Sequence, residues 1–96
     1  MTTLPNLEEL RPQIDAIDEQ LYALLAKRFA VTQQVGLYKA AHGIPPIDLA
    51  REEVQFARAA NVARQSGLDP DFAQKMLRLI IDEVVKNHKQ LAQKQG

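Results

Sequence analysis

A long apolar stripe constrains the fold of this chain more than any other feature. Its residues recur at every third or fourth position: Leu7, Leu10, Ile14, Ile17, Leu21, Leu24, Val31, Val35 and Tyr38. A period of about 3.5 residues that persists for over four heptads is typical of a helix that packs along another helix. Because no segment shows the alternation of a strand, the sequence predicts an all-α fold.

Capping residues divide the chain into three helices, one of them long, within a single domain that covers residues 1–96. The helices are expected at about residues 6–42, 48–66 and 69–92. Asn6 and Asp48 are good N-caps, and Gly43 suits the C-terminal end of the first helix. The tail beyond Leu91 is expected to fray.

The first helix is too long for one small chain to cover. At 1.5 Å per residue it extends for ~50 Å, whereas a compact chain of this size has a radius of gyration of only ~12–13 Å. Much of the stripe would stay in water unless a second copy packed on it. The sequence therefore predicts an intertwined helical homodimer with a shared core.

Composition excludes several classes of function. Twelve basic and twelve acidic residues cancel, which argues against general nucleic-acid binding or membrane-surface binding, since both rely on a basic excess. The absence of cysteine removes thiolate chemistry, and two distant histidines make a structural metal site improbable. The chain begins without a signal-like segment and has no stretch long enough to cross a bilayer, so a cytoplasmic location is expected.

Arg28 interrupts the apolar stripe between Leu24 and Val31. An unpaired charge on a buried helix face is very costly, and no carboxylate lies one turn away on the stripe. The guanidinium must therefore reach water, pair with another segment such as Glu52, or bind an anionic ligand.

Other polar residues fall near this face. Lys39 follows Arg28 by about three helical turns, ~16 Å along the same side, whereas Arg11 points elsewhere and approaches such a site only from a second, antiparallel chain. The remaining candidates are Asp48, Arg51 and Glu52 on the second helix and Val84 and His88 on the third.

Each candidate also has a purely structural interpretation. Arg11 suits a surface salt bridge, Arg51 and Glu52 an ordinary helical pair, Asp48 a cap, and His88 a hydrogen-bonded core histidine. Taken together, they indicate a cationic pocket with one acidic edge and apolar walls, suited to a small dianion that carries a hydroxyl. Because no nucleophilic triad or phosphate-binding glycine loop is present, an enzyme of this kind would act through binding, orientation and charge placement.

The segments that carry these residues resemble the all-α chorismate mutases over residues 7–92. They are Leu10-Arg11 to Ile17-Asp18, Leu24-Leu25-Ala26-Lys27-Arg28, Val35-Gly36-x-x-Lys39, Asp48-x-x-Arg51-Glu52 and Leu79-Ile80-Ile81. The resemblance implies an intertwined homodimer with two sites shared between subunits. It also implies conversion of chorismate to prephenate, the committed step toward phenylalanine and tyrosine, without cofactor or metal.

The resemblance further implies a role for each candidate residue. Arg28 would bind one substrate carboxylate, and Arg11 of the other chain would bind the enolpyruvyl carboxylate. Lys39 would contact that carboxylate and the ether oxygen. Glu52, with the backbone at Asp48, would hold the ring hydroxyl, and Arg51 would form part of the charged wall.

Two positions depart from the pattern of the family, and they keep other functions open. Val84 stands where these mutases often have a serine, and His88 stands where a glutamine usually donates to the ether oxygen. An aliphatic residue at position 84 favours the sibling isochorismate-pyruvate lyases, whereas the acidic pair Asp48 and Glu52 favours the mutase. A non-catalytic dimeric helical interaction module is the alternative of another class.

Overall fold

The computed structural model describes residues 3–95, and helices account for most of them. The elements are α1 (Leu7–Ala41), α2 (Leu49–Ser66) and α3 (Pro70–Gln95). Since the described residues contain no strand, the predicted all-α fold with three helices, one of them long, is confirmed. α3 continues to Gln95, past the end predicted near residue 92, and the expected fraying of the tail after Leu91 stays a prediction. Leu91 and Ala92 are partly buried, and the glutamine and lysine residues that follow are good helix formers.

Local chemistry sets the ends of the helices. Asn6 Oδ1 accepts a hydrogen bond from the Glu9 N–H at 3.0 Å, and Asp48 Oδ1 accepts one from the Arg51 N–H at 3.1 Å. Each carboxamide or carboxylate thereby satisfies a free N–H of the first helical turn. Gly43, with φ of 65°, follows α1 in the left-handed conformation that a side chain would disfavour. Both predicted N-caps and this glycine cap are therefore confirmed.

Pro12 lies inside α1, yet the helix continues past it. Proline removes one backbone N–H and with it the bond to the carbonyl four residues earlier, that of Glu8. Glu8 is exposed, so water can take the place of the missing donor. The apolar stripe continues without interruption past this position and so predicts the helix correctly, although proline alone would argue for a break.

The chain divides into two compact units, one that ends at Val31 and one that begins at Thr32. In the second unit α2 packs against α3. Three of its four buried apolar residues are alanines, Ala60 and Ala63 from α2 and Ala73 from α3, and the fourth is Ile81 of α3. Alanines leave little bulk between the helix axes, which lets the two backbones approach closely.

The apolar stripe of α1 is exposed along its length. Ile17 and Leu24 expose 61% and 63% of their surface, and Leu7, Leu10, Ile14, Leu21, Val31, Val35 and Tyr38 are exposed as well. Scattered apolar residues on a surface are ordinary, but a contiguous apolar surface of this kind marks an interaction site. None of the helices in the described part of the chain has the length and hydropathy of a bilayer-spanning segment.

Candidate active site

The eight candidate residues are distributed over the three helices. Arg11 and Arg28 belong to the first unit, where Arg11 is exposed and Arg28 is partly buried. The second unit carries Lys39, Asp48, Arg51, Glu52, Val84 and His88.

Arg28 retains an unsatisfied guanidinium nitrogen. Its Nη1 is buried and makes no hydrogen bond with any of residues 3–95. Buried donors are almost always paired, because an unpaired one loses its hydration without compensation. Glu52, the carboxylate that the sequence offered as a partner, is paired with another residue, Arg78. These two observations favour the interpretation in which Arg28 binds an anionic ligand.

Lys39 lies in the last turn of α1 and is partly buried. A cation is favoured there because the C-terminal carbonyls give this end of a helix partial negative charge. The Lys39 carbonyl accepts from the N–H groups of His42 and Ile44, which close the turn after the helix. Within residues 3–95 its ammonium group makes no ion pair, so its charge is not neutralised by a carboxylate of this range.

The first turn of α2 carries three of the candidates. Asp48 is the N-cap, and its carboxylate accepts a hydrogen bond from the Arg51 N–H, which agrees with its structural interpretation as a cap. Arg51 is exposed, whereas Glu52 keeps only 13% of its side chain exposed. Of the two acidic candidates, Glu52 is thus the less exposed.

Glu52 forms an ion pair with Arg78 of α3. Arg78 Nη1 donates to Glu52 Oε1 at 3.2 Å and to Asp82 Oδ1 at 3.4 Å. The guanidinium also lies over the Phe56 ring, 4.6 Å from its centroid, in a cation–π contact. The hydrogen bond to Glu52 is the largest of the effects that raise the pKa of Arg78. The expected helical pair of Arg51 with Glu52 is thus replaced by a pair between two helices.

His88 is almost completely buried, with 4% of its surface exposed. Its Nε2 lies 2.8 Å from the Thr32 carbonyl oxygen. A carbonyl can only accept, so Nε2 carries a proton and donates it. Nδ1 is also buried and has no hydrogen-bond partner among residues 3–95. One nitrogen thus behaves as that of a core histidine, while the other has no hydrogen-bond partner in this range.

This arrangement decides what the neutral ring can do. With its single proton on Nε2, neutral His88 presents Nδ1 as an acceptor only. Nδ1 becomes a donor when the ring takes up a second proton and forms the imidazolium. Val84, one turn earlier on α3 and partly buried, has no polar group with which to supplement it.

Gly36 makes the approach of His88 to α1 possible. It is the one buried residue of α1, and a Cβ at this position would lie 2.5 Å from His88 Cδ2 and 2.9 Å from His88 Nε2. The same Cβ would lie 2.8 Å from Leu91 Cδ1. Close packing against His88 and Leu91 therefore accounts for a glycine at this position in mid-helix.

We expect the Gly36→Ala substitution to destabilise the protein by ~1–2 kcal/mol. Alanine gains ~1 kcal/mol of helix propensity, but overpacking against a buried ring costs ~1–3 kcal/mol or more, and displacing the ring weakens its bond to Thr32. Urea denaturation at fixed protein concentration measures the change. In a His88→Ala background the same substitution should be neutral or stabilising, and equal destabilisation in both backgrounds would contradict the role of the ring.

A groove of ≈ 610 Å³ runs along α3 beside the start of α2. Ile47, Leu49, Glu52, Arg78, Asp82, Val85, Lys86, Lys89 and Gln90 line it. It contains apolar walls, basic groups and an acidic edge, but Glu52 is the only sequence-predicted site residue in it. The cationic pocket expected from the sequence is thus not this groove, and its assembly stays a prediction. The described residues contain no cluster of three or more side chains suited to a metal ion.

Arg78 is the residue that sequence reasoning missed. Its spacing of four from Asp82 predicts a helical ion pair, which the structure contains. Nothing in the sequence indicates which acidic residue of another helix it contacts, since that depends on how α2 and α3 pack.

Comparisons of the sequence with a family model and with known proteins indicate the same family. The sequence model of the family described as chorismate mutase type II matches residues 10–89. The chain is 31% identical over 86 residues to the 4-amino-4-deoxychorismate mutase of Streptomyces venezuelae. That alignment covers 90% of this chain and 84% of the mutase. The chain is also 28% identical over 92 residues to the chorismate mutase of Methanocaldococcus jannaschii. That alignment covers 96% of this chain and 88% of the relative.

Longer proteins match as well. The chain is 32% identical over 90 residues to the T-protein of Haemophilus influenzae. That alignment covers 94% of this chain but only 24% of the T-protein. The chain therefore spans about a quarter of the longer relative.

Proposed function

Because the chain belongs to the chorismate mutase type II family, we propose that it converts chorismate to prephenate in aromatic amino acid biosynthesis. The family match over residues 10–89 carries the proposal. The reaction is an intramolecular isomerisation in which a C–O bond breaks while a C–C bond forms. It therefore requires groups that hold a flexible dianion in a reactive shape and that stabilise charge growing on the ether oxygen.

The cations of α1 supply these interactions in the proposed site. Arg28, with its unsatisfied buried nitrogen, binds one carboxylate, and Lys39 contacts the enolpyruvyl carboxylate and the ether oxygen. Arg11 of the second chain binds the enolpyruvyl carboxylate from the other side. Glu52, with the backbone at Asp48, holds the ring hydroxyl, and Arg51 lies in the charged wall.

A homodimer completes this site. The exposed apolar stripe of α1 supports it, because a second copy would remove that stripe from water. Burial of apolar surface contributes roughly 25 cal/mol per Å², so a stripe of this length is a strong driving force for association. We propose that the chain forms a single mutase-like domain whose two sites are each shared between subunits; its cytoplasmic location stays a prediction.

His88 acts in the proposed site as a proton-dependent donor. Nε2 is committed to the Thr32 carbonyl, so Nδ1 is the nitrogen left to face the ether oxygen. It donates there only in the imidazolium form, and a charged donor stabilises developing negative charge more strongly than a neutral one.

We expect removal of every donor at position 88 to slow turnover. The His88→Ala variant loses the group that faces the ether oxygen in the proposed site, whereas the His88→Gln variant keeps an amide that can donate there. Initial rates of chorismate consumption at saturating substrate measure both variants. An alanine variant that is folded and as fast as the unmodified protein would rule out this role.

The isochorismate-pyruvate lyase is the second candidate, and Val84 is the observation that favours it. The acidic residues Asp48 and Glu52, which the resemblance associates with the mutase, favour the first candidate. Incubating the purified protein with chorismate and with isochorismate, separately, and identifying the products distinguishes them. Prephenate from chorismate supports the mutase, salicylate and pyruvate from isochorismate support the lyase, and no product from either supports the interaction module.

A further inference from the structure

We propose that Arg78 is a positioning residue that sets substrate preference through Glu52. By compensating the charge of Glu52, it favours a substrate with an uncharged ring hydroxyl over one with an ammonium group at the same ring position. This inference rests on the proposed function, in which Glu52 accepts a hydrogen bond from the ring hydroxyl.

The guanidinium of Arg78 is held in place from several sides. Glu52 Oε1 and Asp82 Oδ1 accept from Nη1 at 3.2 and 3.4 Å, and the Phe56 ring lies 4.6 Å away under the guanidinium carbon. Two of these partners belong to α2 and one to α3. A planar cation restrained by two helices keeps its position relative to Glu52 better than a free surface arginine does.

The exposure of the two partners is unequal. Glu52 has 13% of its side chain exposed, whereas Arg78 has 49%. Water therefore solvates Glu52 poorly, and the guanidinium is its nearest positive charge in the residues that the structure describes. A carboxylate has about four lone-pair positions, so the bond to Arg78 leaves capacity to accept from a ligand.

The ion pair affects a hydroxyl and an ammonium group differently. A hydroxyl is neutral and donates to the carboxylate whether or not Arg78 neutralises it. An ammonium group gains most from an uncompensated carboxylate, and it is repelled by the cation already bound there. Removing the charge of Arg78 should therefore benefit the ammonium substrate selectively.

Asp82 provides a matched control. It accepts from the same Arg78 nitrogen at a similar distance, is exposed, and lies on α3 with Arg78. The Asp82→Asn variant removes one ion pair of Arg78 while it preserves the pair with Glu52. If Arg78 had only a structural role, loss of either ion pair would have similar consequences.

The test compares kcat/KM for chorismate and for 4-amino-4-deoxychorismate, in which an ammonium group replaces the ring hydroxyl. The variants are Arg78→Gln, Arg78→Met, Arg78→Lys and Asp82→Asn, each in the full chain. Because Arg78 is half exposed and its charge is screened, we expect a change of roughly threefold to tenfold. The ratio should shift toward the amino substrate by this factor in the glutamine and methionine variants. The ratio should stay within about twofold of that of the unmodified protein in the Arg78→Lys and Asp82→Asn variants, because both keep a positive charge beside Glu52.

Two uncharged variants, Arg78→Gln and Arg78→Met, are compared so that the test does not depend on the folding of one of them. Methionine keeps a long apolar side chain over the Phe56 ring, which glutamine does less well. If the amino compound is not turned over, its inhibition constant against chorismate replaces kcat/KM in the ratio. An unchanged ratio in a folded variant that still consumes chorismate would overturn the inference. Failure of the unmodified protein to consume chorismate would instead overturn the proposed function.

Discussion

Replacing Lys39 with alanine is expected to lower kcat for chorismate by about a hundredfold to a thousandfold, the range typical of losing one preorganised donor to a developing oxyanion. Lys39 lies in the last turn of α1, partly buried and without an ion pair in residues 3–95. Its charge is thus available to the ether oxygen in the proposed site. Initial rates of chorismate consumption measure the loss.

The control must separate chemistry from folding. Lys27 is an exposed lysine of the same helix, and the Lys27→Ala variant should keep a rate within about twofold of the unmodified protein, as surface changes usually do. Circular dichroism and sedimentation should show both variants helical and in the same oligomeric state. A near-normal rate for Lys39→Ala would count heavily against the assigned site.

Mixing two inactive variants should restore activity if sites are shared between chains. Arg11→Ala and Arg28→Ala are each expected to be nearly inactive, since each removes a carboxylate partner in both sites of a homodimer. A mixed dimer has one site with both arginines intact and one site with neither. Statistical exchange makes half of the dimers mixed, so recovery should approach about one quarter of the unmodified activity.

The exchange experiment has an internal control. Arg28→Ala mixed with the double variant Arg11→Ala/Arg28→Ala should recover nothing, because no pairing of those chains assembles both arginines in one site. Subunits are mixed in mild denaturant and returned to buffer before assay. Absence of recovery in the first mixture, with dimers shown to have exchanged, would mean that each site is built within one chain.

The helices were predictable because their signals are local. Asn6, Asp48 and Gly43 act within one turn of their own positions, so a sequence contains all that is needed to identify them. The end of α3 at Gln95 lies beyond the predicted one, because the glutamine and lysine residues after Leu91 are good helix formers. Pro12 would have argued for a break that the structure does not contain.

The candidate site was less predictable because its contacts join distant segments. The sequence identifies Glu52 as an acidic candidate, but its ion pair with Arg78 depends on the packing of α2 on α3. For His88 the core and ligand interpretations could not be separated from sequence, since the ring turned out to engage Thr32 with one nitrogen only. Gly36 lies in one of the segments that carry the resemblance, whereas its close approach to His88 on α3 could not be inferred from the sequence.

The clearance between α1 and α3 beside Gly36 limits how this protein can diverge. Residues 36 and 88 share one fixed volume, so an enlargement at the first position is tolerated only alongside a reduction at the second. Descendants that keep an imidazole at position 88 therefore lose stability when position 36 carries any side chain larger than hydrogen.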